Sequence, residues 1–202
     1  LDGCACKEQC LYDAEKIYIT GTHCGIQHGK TGWPNNVVTG GPPTEEALRE
    51  ALRTGPYGRC VYHCDNDVVD HQTVSAVFAN GVCATFTMTA FTDTSRRTIK
   101  LTGTLGELEG DLEANTIRVR RFGQPEEIID LAAGTSEFAG HGGGDARLTE
   151  QFCRLIASGG GDALTGIDVS VESHVMALAA EASRLSGGET VDLEAFKAQA
   201  GK

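Results

Sequence analysis

The alternation of hydrophobic and polar residues changes its period twice along this chain of 202 residues. Between residues 44 and 56 the apolar positions recur at helical spacing, with Leu48 and Leu52 on one face. Thr44 stands before two glutamates and can cap the first turn, whereas Gly55 is followed by proline. The pattern therefore predicts a helix that begins after Thr44 and ends before Gly55.

From residue 73 the period becomes two, which is typical of strands with one buried face. Apolar residues alternate with threonines and other small residues on both sides of Asn80-Gly81, a dipeptide that favours a two-residue turn. This segment is predicted to be a β-hairpin. Further strands are predicted at residues 98–101, 106–112, 116–122 and 126–131. The connections between them are too short for parallel crossovers, so the strands should pair antiparallel.

Helical spacing returns in the last third of the chain. One helix is predicted to be capped by Asp145 and to bury Leu148 and Phe152, and the next to be capped by Ser170. A short helix over residues 191–198 is predicted to follow. Strands in a meander with helices on one side predict an α+β fold with a predominantly antiparallel open sheet. Helices should pack on one face of this sheet, which leaves the other face free for an oligomer interface.

The first 43 residues show little of either period. They combine cysteines, glycines and histidines with a single apolar alternation at residues 17–19. Residues 1–43 are therefore interpreted as an irregular Cys/Gly-rich arm that continues from a segment upstream, and residues 44–202 as the α+β domain.

The charges of the chain argue against a large class of partners. Seventeen basic and 28 acidic residues give a net charge of -11, and basic residues never form a run longer than a pair. A surface for a polyanion such as nucleic acid is therefore not indicated. No apolar run approaches the roughly 20 residues that a membrane span requires. We expect neither nucleic acid nor a membrane as partner, and the composition favours the cytoplasm.

Eight cysteines are more than is usual for this length. Cys83 and Cys153 lie in apolar patterns, where a thiol behaves as a small hydrophobic group. Four cysteines of the arm and of the loop after the first helix could together hold zinc, namely Cys4, Cys10, Cys60 and Cys64. No spacing among them is a Cys-x-x-Cys pair, so free thiols are the default interpretation and a disulfide is a further alternative.

Polar side chains are dense in residues 59–72, just before the hairpin, and again around the glycine-rich segment 140–144. Aspartate, asparagine and histidine can each bind vicinal hydroxyl groups with fixed geometry, as recognition of a polyol requires. The glycine-rich segment lacks the residue order and the βαβ context of a nucleotide-binding loop. The candidate substrate-binding residues are Asp65, Asn66, Asp67, His71, His141 and Asp145. The alternative for both segments is a set of solvated turns and helix caps.

Six blocks of the sequence resemble the C-terminal half of the oxidoreductase family of glucose–fructose oxidoreductase and inositol dehydrogenase. They are residues 10–18, 55–62, 64–72, 103–111, 140–145 and 170–174. Together these blocks extend over nearly the whole chain. They are specific for the family and not for its substrate.

The resemblance implies an enzyme that binds NAD or NADP in an N-terminal Rossmann domain, which would precede residue 1, and that acts on a sugar, cyclitol or related polyol. The chain has no dinucleotide loop, no Glu-Lys-Pro motif and no match to the family's Asp/His catalytic pair, so we expect no catalysis by this chain alone. The resemblance also implies a homodimer or a higher homo-oligomer that forms through the sheet face. The alternatives are a non-catalytic sugar-binding or dimerisation module and an NAD-dependent glycosidase of the same family.

Overall fold

The computed structural model describes residues 3–131, 143–161, 163 and 165–200. The helices in this part of the chain are α1 Asn35–Thr39, α2 Glu45–Thr54, α3 Gly144–Ala157, α4 Ile167–Leu185 and α5 Leu193–Ala200. The strands are β1 His71–Val77, β2 Cys83–Thr89, β3 Thr98–Gly103, β4 Gly106–Asp111, β5 Thr116–Arg121 and β6 Glu127–Asp130. Every pair of neighbouring strands is antiparallel. The predicted α+β class is confirmed.

The chain divides into two compact units, Leu1–Val69 and Asp70–Lys202. The first unit contains α1 and α2, and the second contains the six strands and α3 to α5. Residues 1–43 therefore belong to the same unit as the first long helix.

A small hydrophobic core holds the first unit together. Its buried members are Ala14, Ile19, Val38, Leu48 and Leu52. Three of them come from the first 43 residues and two from α2, so the cysteine-rich segment supplies the surface on which α2 buries its apolar face.

Helix α2 has the predicted cap and the predicted end. The Thr44 hydroxyl oxygen accepts a hydrogen bond of 3.1 Å from the backbone N–H of Ala47, which satisfies one of the free donors of the first turn. Helix α2 ends at Thr54, immediately before Gly55-Pro56. Both ends could be predicted because a threonine cap and a glycine–proline stop are local signals.

The hairpin forms as predicted, but the predicted two-residue turn is wrong. Phe78 donates to the Val82 carbonyl at 2.9 Å, and the loop between them has three residues that end in Gly81. Gly81 has φ +84, the left-handed conformation that closes a type I turn with a bulge. The longer loop places Val74 opposite Phe86, so that the apolar positions of the two strands share one face.

The remaining strands form a separate sheet in the order β3-β4-β5-β6. The register places six aliphatic side chains on one face, at Ile99, Leu101, Leu108, Ile117, Val119 and Ile129, whereas Ile128 pairs with Arg118 on the other. The opposite face carries charges, at Lys100, Glu107, Glu109, Arg118 and Arg120. Ile99 and Leu101 are each more than half exposed, so the aliphatic face is open to solvent at its β3 side.

Two predicted features of the C-terminal helices are corrected. Gly143 and not Asp145 is the N-cap of α3, and Ser170 lies inside the first turn of α4 rather than at its cap. Leu148 and Phe152 are 52% and 61% exposed, so the predicted burial of this helix face is wrong for the described structure. Helix α3 is amphipathic, but no segment among the described residues covers the face that carries Leu148 and Phe152.

Candidate functional site

The loop that carries three of the six predicted ligand residues begins where the chain turns back sharply after α2. A short 3-10 helix, Pro56–Gly58, follows α2 directly. A Cβ atom at Gly58 would lie 1.7 Å from the Leu52 carbonyl oxygen, so only glycine allows this approach. The return positions Arg59 and Cys60 beside the C-terminal end of α2.

Asp65 and Asn66 both take part in interactions that shape this loop. Arg59 Nη1 lies 2.6 Å from Asp65 Oδ1, and Asn66 Nδ2 donates to the Val68 carbonyl at 3.1 Å. Asp65, Asn66 and Asp67 are all exposed. The three residues lie together in the first unit, on one loop.

Two of the other predicted residues belong to the second unit. His71 is the first residue of β1, in the second unit, and its Nδ1 lies 2.6 Å from Asp70 Oδ1. Asp145 is in the first turn of α3, also in the second unit. His141 lies outside the described residues. Three of the six predicted residues, Asp65, Asn66 and Asp67, thus share one described loop.

All eight cysteines are free thiols. Among the described residues no group of three or more histidine, cysteine, aspartate or glutamate side chains could hold a metal ion. Two Cys-x-Tyr segments nevertheless lie side by side, because the rings of Tyr12 and Tyr62 meet edge to face with centroids 5.7 Å apart. Cys10 and Cys60 stand two residues before these tyrosines.

A pocket of about 580 Å³ opens in the first unit. It is lined by Lys7, Glu15, Ile19, Arg49, Leu52, Arg53, Gly55, Gly58, Arg59 and Cys60. Its wall therefore includes four cationic side chains, one carboxylate and one thiol. Arg59 connects the pocket to the candidate loop through its ion pair with Asp65.

Glu15 is the centre of an ion-pair network in this pocket. Its carboxylate lies 2.6 Å from Arg49 Nη1 and 3.2 Å from Lys7 Nζ. Arg49 also pairs with Glu45 at 2.8 Å. The hydrogen bonds from Arg49 and Lys7 hold the pKa of the Glu15 carboxyl below its ordinary value. The network joins the N-terminal segment to α2.

Sequence reasoning missed Lys7, Glu15, Arg49 and Arg53 as pocket residues. Glu45, Arg49 and Arg53 are spaced by four residues, which by itself is typical of ion pairs on the exposed side of a helix. Lys7 and Glu15 come from the irregular segment, where no period predicts which side chains meet. The local sequence therefore gave no indication that these four side chains line one pocket.

A second cavity, of about 410 Å³, lies on the charged side of the four-stranded sheet. Lys100 pairs with Glu107 and Glu109, and Arg120 pairs with the same two glutamates. Hydrogen bonds to Glu107, Glu126 and Glu109 raise the pKa of the Arg120 guanidinium. These charges satisfy one another across neighbouring strands, as cross-strand pairs do.

The described residues do not fit a nicotinamide cofactor. Dinucleotides bind at the carboxyl ends of parallel strands, where a glycine-rich turn opens a helix. All strand pairs described for this chain are antiparallel. A dinucleotide site of this kind would require parallel strands, which none of the described strand pairs provides.

None of the helices in the described ranges is long and apolar enough to cross a membrane. No protein-family model, no curated protein and no solved structure matches this chain.

Proposed function

We propose that this chain is the substrate-side domain of an NAD(P)-dependent oxidoreductase that acts on a sugar, cyclitol or related polyol. The observation that carries the proposal is the resemblance of six sequence blocks to the C-terminal half of the glucose–fructose oxidoreductase and inositol dehydrogenase family. The confirmed α+β class and antiparallel pairing are compatible with that half and support it.

The exposed loop of the first unit is proposed to bind the hydroxyl groups of the substrate. Asp65 accepts hydrogen bonds and Asn66 both donates and accepts them, so the two side chains together match the donor and acceptor pattern of a diol. The ion pair of Asp65 with Arg59 holds the carboxylate in place before a ligand arrives.

Hydride transfer is proposed to take place on a cofactor held by a separate Rossmann domain, which the resemblance places before residue 1. The strand pairs among the described residues are antiparallel, whereas a Rossmann domain has parallel strands, so the proposal assigns the cofactor to a different domain. The chain alone is then a binding domain without catalytic activity. We also propose that it functions in the cytoplasm, where free thiols persist.

The chain is further proposed to form a homodimer or higher homo-oligomer through a sheet face. The exposed aliphatic side chains of the four-stranded sheet support this proposal, because burial against a second copy would remove them from water.

The binding proposal can be tested by titrating the 202-residue chain with hexitols, inositols, NAD and NADP, followed by calorimetry and amide NMR. We expect polyols to shift the resonances of residues 59–67 and neither nucleotide to bind. The control is Asn80→Ala in the hairpin loop, which should leave the shifts unchanged. Micromolar binding of either nucleotide, or polyol shifts that survive Asp65→Ala with Asn66→Ala, would contradict the proposal.

A further inference from the structure

The pocket of the first unit is cationic in a chain that is acidic as a whole. Four of the 17 basic residues line it, whereas only one of the 28 acidic residues does. The net charge of the chain is -11, so this concentration of positive side chains goes against the average composition. A wall rich in guanidinium groups offers many N–H donors to an anionic ligand.

The floor of the same pocket is apolar. Ile19 is fully buried and Leu52 is 6% exposed, and both line the cavity. Its volume of about 580 Å³ is in the range of sites for small organic molecules. A ligand that fits both surfaces has a carbon body on the floor and an anionic group at the rim.

Two arginines at the rim of the pocket, Arg53 and Arg59, form ion pairs with carboxylates that do not themselves line the pocket. Arg53 binds Glu50 through Nε and Nη2, and Arg59 binds Asp65 through Nη1. This leaves Nη1 of Arg53 and both Nε and Nη2 of Arg59 without a partner in the described part of the chain. A guanidinium has five N–H donors, so each arginine can hold its carboxylate and a ligand oxygen together.

The carboxylate that does line the pocket is already neutralised. Glu15 accepts hydrogen bonds from both Arg49 and Lys7. Its negative charge is therefore balanced within the wall. Arg53 and Arg59 are also ion-paired, with Glu50 and Asp65, but both keep N–H donors that these carboxylates do not use.

We propose that this pocket binds the anionic group of an acidic polyol, a carboxylate or a phosphate, with Arg53 and Arg59 as its donors. This inference rests on the proposed function, because the Asp65 loop that supplies the hydroxyl contacts adjoins the same rim through Arg59. It narrows the substrate class from polyols in general to sugar acids or sugar phosphates.

The test is a calorimetric titration of the 202-residue chain with a hexitol, the matching aldonate and the hexitol phosphate at low ionic strength. We expect both anions to bind at least tenfold more tightly than the hexitol. The anion that binds more tightly shows whether the substrate carries a carboxylate or a phosphate. Tighter binding should be lost when Arg53→Gln and Arg59→Gln are combined, and it should weaken with added salt.

Arg154→Gln is the matched control. Arg154 is as exposed as Arg53 and pairs with Glu150 on α3, but it lines neither described pocket. Its substitution should leave the affinity for both anions unchanged. Thermal unfolding of each variant checks that the fold is retained.

Alkylation of the pocket thiol gives a second measurement. Cys60 lines the pocket, whereas Cys153 is exposed on α3. A saturating anion should slow the reaction of iodoacetamide with Cys60 and not with Cys153.

Three outcomes would overturn the inference, and they separate it from the proposed function. Equal affinity for hexitol and anions would refute the anionic site and leave polyol binding intact. If the Arg154 variant lost as much affinity for the anions as the double variant, the anions would be attracted by the overall charge of the chain and not bound at this pocket. Absence of binding by all three ligands would refute both proposals.

Discussion

Leu48 and Ile19 are completely buried at the centre of a core with few members. In a core of this size each side chain contributes a large part of the apolar area that folding removes from water. The side chains of the rim, by contrast, are held by ion pairs at partly exposed positions, which contribute little stability but fix geometry.

Leu48→Ala should therefore destabilise the first unit by about 2–5 kcal/mol, because it removes buried methyl groups and leaves a cavity. Leu11→Ala is the control, since Leu11 is 85% exposed, and should change the free energy of unfolding by less than about 0.5 kcal/mol. Urea denaturation of both variants decides the matter. Equal effects of the two substitutions would contradict the described core.

The Glu15 carboxylate predicts a dependence of stability on pH. Because its pKa is lowered in the folded chain, ionised Glu15 stabilises the fold at pH values above its ordinary pKa of 4.5. This contribution is lost as the pH falls through the lowered folded value. Glu15→Gln should thus be less stable than the parent chain at pH 7, by less than about 1 kcal/mol.

The same difference should vanish in acid, where the parent carboxylate is also uncharged. Denaturation curves recorded from pH 7 down to the acid limit of the fold would show it. Glu8→Gln, at an exposed position of the same segment, should be without effect at every pH. A Glu15 difference that persists after protonation would show that the network does not act through charge.

The α-helices differ in how the free backbone N–H groups of their first turns are satisfied. Helix α2 has a side-chain cap at Thr44, whereas α3 and α4 begin after Gly143 and Gly166 without one. The cap therefore contributes to α2 in particular, the helix that supplies two core leucines and two pocket arginines.

Thr44→Ala should destabilise the first unit by about 1 kcal/mol, because the N–H of Ala47 loses its acceptor. Thr44→Ser keeps a hydroxyl acceptor and should retain most of the stability. Guanidinium unfolding of the three chains makes the comparison. If the serine variant loses as much as the alanine variant, the cap is not the cause.

The hairpin shows what sequence could predict and where it could not. Both strands were predictable from their alternation, but Asn80-Gly81 also favours a two-residue turn that would pair Ala79 with Val82. The observed register pairs Phe78 with Val82 instead, which keeps the alternating apolar side chains, such as Val74 and Phe86, on one face. The apolar pattern of both strands together, rather than the turn dipeptide, determines the register.

The candidate site was predictable only where its residues are close in sequence. Asp65, Asn66 and Asp67 lie on one loop, as a cluster within a single segment must. The pocket, by contrast, is lined by Lys7 and Arg53 from distant segments, and this grouping depends on the tertiary packing of residues 1–43 against α2. No local period predicts that packing.

The proposed assembly of the chain predicts its mass in solution. The aliphatic face of the four-stranded sheet is proposed to bind a second copy, so the mass in solution should be a multiple of 21.3 kDa at high micromolar concentration. Leu101→Arg, on that face, should dissociate the assembly, whereas Thr102→Arg, on the charged face, should not. Light scattering measures both. A monomeric parent chain would refute the sheet interface.

The most direct test of the proposed function uses the protein expressed from its whole gene. Polyols, aldonates and hexitol phosphates are supplied with NAD or NADP, and the absorbance of the reduced nicotinamide is followed. We expect substrate-dependent reduction of one cofactor by the protein expressed from the whole gene and none by the 202-residue chain. A folded whole protein that reduces neither cofactor with any of these substrates would contradict the assignment as an oxidoreductase domain.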